Sequence, residues 1–178
     1  MRFVATPLAD GYIVELDRLE DERGFFARSF CSAEFAAHEL AASFPQCNVS
    51  YNARRGTLRG MHYQREPYAE AKVVRCTRGA IYDVIVDIRP GSPTFRRWFA
   101  VDLTADNRRM LYVPQGHAHG FQTLRDDSEV FYMMSETYHP EAAAGIRWND
   151  AMLNVSWPLQ NPIVSPKDMA YPDLAMLS

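Results

Sequence analysis

Cysteine is scarce in this sequence and is not spaced for pairing or for metal binding. The three thiols, Cys31, Cys47 and Cys76, are odd in number and form no C-x-x-C, which argues against a disulfide framework and a structural zinc site. Buried, reduced thiols are the expectation. No run approaches the roughly 20 apolar residues a membrane span requires. The opening residues, MRFVATPLADG, carry an arginine but no sustained apolar stretch, so no signal peptide is expected. Net positive charge is lacking too: 19 basic against 22 acidic residues leave −3, and no long-range field recruits nucleic acid or an anionic membrane. An anionic ligand must meet local arginines. A cytoplasmic protein that binds neither polymer nor bilayer is the expectation. With 178 residues, 47% of them hydrophobic, the chain suits one globular domain over 1–178.

Helical periodicity is nearly absent. CSAEFAAHELAA, from Cys31, predicts one short N-terminal helix with Ser32 as N-cap, ending before Phe44-Pro45. Without alternating helices there is no basis for a parallel dinucleotide-binding sheet. What is present is period two. In YDVIVDI, residues 82–88, Tyr82, Val84, Val86 and Ile88 alternate with Asp83, Ile85 and Asp87. Short runs of the same kind begin at Tyr12, Phe25, Cys47, Lys72, Trp98 and Glu129, separated by turn residues such as Arg78-Gly79 and Asp126-Asp127. Many short strands at this spacing predict an antiparallel sandwich or barrel. The closing WPLQNPIVSPKDMAYPDL, with four prolines, predicts an irregular surface tail.

Several polar residues do not fit a β core. TLRGMHYQ, residues 57–64, carries Arg59, His62 and Gln64 among apolar neighbours. Strict alternation separates Arg59 from His62; a bulge at Gly60 would let them share a pocket. The alternative is an edge strand facing water. Lys72 opens a strand that otherwise wants burial, where a cation needs a counter-charge or a bound anion, unless it lies at a solvated strand end. His117 and His119 share a face with Phe121, while Tyr132 lies with Val130 and Met134. Asp168 follows Ser165-Pro166-Lys167 in the tail, where most such charges are solvated. Pro114, Gly116 and His119 resemble the second motif of the cupin superfamily, small double-stranded β-barrels. The His-x-His…Glu motif of cupin metal sites is missing from GMHYQ, so no metal is expected.

Taken together, DERGFF, QCNVSYN, GTLRGMHYQ, KVVRCTRGAIYDVIVDIRPGSPTF, PQGHAHGF, GIRWND and SWPL, in this order from about Arg23 to Asp168, resemble the dTDP-4-dehydrorhamnose 3,5-epimerase family. The resemblance implies an all-β, cupin-type double-stranded β-helix (a jelly-roll barrel), typically a homodimer. The implied substrate is a nucleoside-diphosphate-4-keto-6-deoxyhexose. A C–H bond beside a ketone is acidic because its carbanion delocalises as an enolate. Inversion therefore needs a base on one face and a proton donor on the other, and no metal or redox cofactor. By resemblance His62 is the base, Asp168 the carboxylate that orients it, Lys72 the cation at the enolate oxygen and Tyr132 the proton donor. Arg59 and His119 position substrate, Arg23 meets the pyrophosphate, Gln46 and Asn48 contact the nucleotide-sugar, and Tyr138 stacks on the base.

Alternatives remain at this level. The same motifs fit an epimerase acting at C3 or C5 alone, and a silent cupin that only binds a nucleotide-sugar. A metal-dependent cupin is a third. Arg28 and Ala143 stand where thymidine-using members usually carry glutamates. Either these are tolerated rim substitutions or another nucleoside diphosphate, such as a cytidine one, is the natural handle.

Overall fold

Two facing, mainly antiparallel sheets and a separate two-stranded hairpin make up the computed structural model, which describes residues 1–176. The strands are β1 (Arg2–Ala5), β2 (Tyr12–Glu15), β3 (Leu19–Asp21), β4 (Gly24–Phe26), β5 (Gln46–Asn52), β6 (Thr57–Gln64) and β7 (Lys72–Arg78). They continue with β8 (Ala80–Asp87), β9 (Trp98–Thr104), β10 (Met110–Val113), β11 (His117–Thr123), β12 (Ser128–Met134), β13 (Ala143–Gly145) and β14 (Ile163–Val164). One sheet runs β1-β2-β10-β7-β12-β5; the other runs β13-β6-β11-β8-β9, with β14 added parallel to β6. From β5 to β8 and again from β9 to β13 the chain alternates between the two sheets, which is the crossing pattern of a jelly roll. The expected cupin-type barrel is the observed fold.

The β8 alternation is real, but its two faces are not core and solvent. Ile85 packs between the sheets with Leu8, Val74, Leu103, Leu111, Phe121 and Val130. Val84 and Val86 face outward, yet are buried beneath Ile146, Leu153 and Leu174 of the C-terminal segment. Each fully buried aliphatic or Phe side chain contributes roughly 1.5–3 kcal/mol. Asp83 and Asp87 therefore point into the barrel and are completely buried, so each needs a partner.

The helix α1 spans Ser32–Ala37, shorter than predicted, and its N-cap is Cys31 rather than Ser32. Phe35 anchors it: its ring is fully buried against Phe3, Phe30 and Phe44 on the outer face of the first sheet. Of the thiols, Cys76 is buried and held protonated by burial, its pKa pushed up to about 11. Cys47 is exposed on β5, contrary to the expectation of burial. The tail also departs from expectation. It forms β14, a one-turn helix α2 (Pro166–Met169) and a 3₁₀ turn at Leu174–Met176; Pro162 precedes β14 and Pro166 opens α2, where no N–H is needed. Among the described residues, no helix is long and apolar enough to cross a membrane.

Candidate active site

The break in alternation on β6 creates the site. His62 stands opposite His119 and Arg59 opposite Phe121, so β6 carries one residue more than β11 across this interval. Gly60 sits in the gap with φ +143°, a conformation that favours glycine. A Cβ there would lie 2.6 Å from the Gly120 Cα. The bulge turns Met61 outward into the second apolar cluster and leaves Arg59, His62 and Gln64 all lining one cavity of about 490 Å³ between the sheets.

His62 Nε2 lies 2.8 Å from Asp168 Oδ1, while Asp168 Oδ2 accepts from the Gly60 N–H at 3.3 Å. The tail delivers Asp168. β14 pairs with the start of β6, and the Ser165 hydroxyl caps α2 by accepting from the Asp168 N–H. Burial alone would raise the Asp168 pKa. The hydrogen bond and charge of His62, with the Gly60 and Ser165 contacts, outweigh it and hold the carboxyl below its ordinary value. The aspartate is therefore ionised at neutral pH and can orient the imidazole.

Lys72 is nearly buried, so it needs a counter-charge. Glu70 supplies it, with Oε1 2.7 Å from Nζ, and Nζ also donates to the His62 carbonyl at 3.4 Å. Lys72 is thus an inward cation, not a solvated strand end. His119 Nε2 meets Asp83 Oδ1 at 2.8 Å, and Asp83 Oδ2 has no hydrogen-bond partner. Tyr132 also lines the cavity; burial, with Arg59 opposing and Glu70 adding, raises its phenol pKa, so the hydroxyl keeps its proton at neutral pH.

At the outer end, Gln46 Nε2 donates to Asn48 Oδ1 at 3.1 Å, and Gln46 Oε1 accepts from the Tyr138 N–H at 2.9 Å. The Tyr138 ring is half exposed on the cavity rim. Arg59 donates from Nε to Asn52 Oδ1 at 2.8 Å.

Nine of the ten residues singled out from sequence line this cavity. Arg23 does not. It sits in the exposed β3–β4 turn, paired with Asp21 at 2.6 Å. Ala143 lines the cavity, but Arg28 lies outside it, paired with Glu34 at 2.8 Å. Sequence reasoning missed Glu70, Asp83, Tyr171 and Lys167, and gave Gln64 no role. The buried Asp83 was visible only as one half of an alternating strand. Each of His62 and His119 is committed to its own carboxylate, and among the described residues no three His, Cys, Asp or Glu side chains are grouped to hold a metal ion.

A jelly-roll barrel whose cavity holds a His–Asp pair, a buried Lys–Glu pair and a protonated tyrosine defines a cupin-type protein equipped for acid–base chemistry. A family model described as dTDP-4-dehydrorhamnose 3,5-epimerase matches residues 5–176. The chain is 45% identical to the dTDP-4-dehydrorhamnose 3,5-epimerase of Shigella flexneri, covering 95% of this chain and 93% of that one. It superimposes on the crystal structure of the Elizabethkingia anophelis enzyme of that name with a TM-score of 0.96 at 36% identity, covering 99% and 97% of the two chains. A 3,5-epimerase from Legionella pneumophila, solved in complex with dTDP-4-keto-L-rhamnose, matches with a TM-score of 0.92 at 36% identity over 99% and 94%. The chain belongs to the dTDP-4-dehydrorhamnose 3,5-epimerase family, and so to the isomerases.

Proposed function

We propose that this protein inverts C3 and C5 of a dTDP-linked 4-keto-6-deoxyhexose, in activated deoxysugar synthesis in the cytoplasm. The observation that carries the reading is the His62–Asp168 pair, 2.8 Å apart, sharing a cavity with Lys72. Neutral His62 removes the proton beside the ketone. Ionised Asp168 fixes the ring and stabilises the imidazolium that forms. The electron pair moves into the carbonyl, and Lys72 meets the oxygen on which charge develops. Tyr132, protonated at neutral pH, returns a proton to the opposite face. The half-exposed His62 ring then loses its proton to solvent, and the tyrosinate regains one, before the second centre reacts. Arg59 and His119 position the sugar, Gln46 and Asn48 contact the nucleotide-sugar, and Tyr138 stacks on the base. Proton NMR of such a substrate in D₂O tests this: deuterium at both C3 and C5 is expected, and no incorporation at either would overturn it.

The same reading includes a homodimer. Leu19 and Phe26, about 70% exposed, cover the β3–β4 hairpin, and Val49 and Tyr51 leave an apolar face on the open edge strand β5. Pairing across a two-fold covers such an edge and would present Arg23 of one protomer to the other's cavity, where its guanidinium meets the pyrophosphate. Sedimentation at micromolar concentration should give the dimer mass; a monomer would end this part of the proposal.

A further inference from the structure

Two carboxamides fasten the segment that presents Tyr138: Gln46 accepts from the Tyr138 N–H itself, and Gln64 holds the residues on either side of it from below. Gln64, 4% exposed, donates from Nε2 to the carbonyls of Tyr68, at 2.9 Å, and Thr137, at 3.1 Å. Its Oε1 accepts from the His139 N–H at 2.6 Å. The Tyr68 and His139 rings stack at 3.7 Å and 14°, so Gln64 joins the backbones of both partners in that stack. Both amide protons and the oxygen are used. Only a carboxamide supplies two donors and an acceptor in this arrangement: a carboxylate would face two carbonyl oxygens, and an apolar side chain would leave all three backbone groups without this partner. The main chain of the same residue does something else. The Gln64 N–H donates to Glu70 Oε2 at 3.0 Å, and Glu70 Oε1 is the partner of Lys72.

We propose that Gln64 is a positioning residue for the nucleotide end of the substrate: its carboxamide fixes Thr137–His139 and thereby the Tyr138 ring, while its main-chain N–H separately fixes the Glu70–Lys72 pair. The inference rests on the epimerase reading for its substrate. Stacking a base on an aromatic gains most when the ring is already held in place, because less freedom is lost on binding. The two fastenings are separable by mutation, since a side-chain substitution removes one and keeps the other.

Three measurements test this. Gln64→Met, of similar length, should raise the Kd for dTDP and the KM of the nucleotide-sugar by about tenfold, equivalent to about 1.4 kcal/mol, while kcat per folded molecule falls less than threefold. A merely structural role would lower the folded fraction and leave KM and Kd alone, and that result would overturn the proposal. Gln64→Glu carries a pH signature. A neutral carboxylic acid can donate once and accept once, so its dTDP affinity, relative to the wild type, should recover as pH falls from 8 towards 5.5; a flat ratio counts against the idea. The wild type supplies the third, independent of any variant's folding. The His139 amide should be among the slowest-exchanging in residues 135–142 and slow further with dTDP, and unprotected exchange with dTDP bound would refute the assignment. Wild type that binds dTDP but never incorporates deuterium would defeat the epimerase reading and leave the Gln64 result standing.

Discussion

Asp168 Oδ1 sits 2.8 Å from His62 Nε2 although 106 residues separate them in sequence. Three local features bring them together: the bulge at Gly60 that turns His62 inward, the parallel pairing of β14 with β6, and the Ser165 cap that starts α2 beside the cavity. The Gly60 N–H completes the arrangement by holding the second aspartate oxygen. The same bulge thus aims His62 and anchors Asp168.

His62→Asn should reduce the exchange of substrate carbon-bound protons with D₂O by at least the roughly 100-fold expected of a general base. The ring is half exposed, so the variant should fold. Asp168→Ala should cost a similar order while leaving dTDP affinity within about threefold of wild type. Exchange at the wild-type rate in His62→Asn would show that another group is the base.

Tyr132→Phe should behave differently from His62→Asn. Abstraction on the His62 side remains, so deuterium still enters with retention, while inverted product falls by about 100-fold or more. NMR separates the two outcomes in one sample. Wild-type inversion at both centres would remove Tyr132 from the role of donor.

Much of this site was legible because its residues violate the pattern around them. Lys72 on a buried strand and Arg59 with His62 beside a glycine are each costly unless they converge on something polar. Family motifs then assigned them roles. What stayed hidden was the supporting layer. Asp83 and Glu70 are ordinary polar residues in alternating or turn segments, Gln64 stands out in its strand but without a role, and only the sheet register shows that Asp83 lies across from Phe121 and faces inward. The tail was misread because proline content reports backbone restriction, not the few hydrogen bonds that dock β14 and α2. The resemblance implies a pyrophosphate contact for Arg23, but within its own chain Arg23 lies away from the cavity.

Gly60→Ala tests the bulge. The substitution combines an unfavourable φ with a Cβ 2.6 Å from the Gly120 Cα, backbone that cannot swing aside. Strain and overpacking together should cost about 2–5 kcal/mol in urea unfolding. A loss under about 1 kcal/mol would mean the strand relaxes freely, and the bulge would not be what aims His62.

Stability should fall in two stages on acidification. Burial lowers the pKa of His117, whose Nε2 has no hydrogen-bond partner. The unfolded chain therefore binds more protons below about pH 6.5, its unperturbed value, and stability declines from there. Asp168 and Asp87 titrate below the ordinary range. For Asp87, burial acts upward but is outweighed by hydrogen bonds from Arg89, Ser92 and Thr94. Both contribute stability that is present above about pH 4, the unfolded aspartate value, and lost as pH falls through their lower folded values. Chemical unfolding between pH 8 and pH 3 should show the shallow decline first and the steeper one second. Constant stability from pH 7 to 5 would remove His117 from this account.

On the proposed reading, nucleobase preference falls to the cavity wall, because an aromatic ring such as Tyr138 stacks on any base. Of the two departures from the thymidine-using pattern, only Ala143 reaches the cavity; the Arg28 guanidinium is outside it and occupied by Glu34. A missing carboxylate does not favour cytosine, whose exocyclic amine is read by an acceptor such as Glu or Asp. Ala143 and its neighbour Ala144, which also lines the cavity, suit an apolar edge and thus the thymine methyl group. Calorimetric titration should find dTDP at least tenfold tighter than CDP or GDP, a gap of about 1.4 kcal/mol. CDP binding as tightly as dTDP would instead make the Arg28 and Ala143 substitutions a change of nucleotide handle.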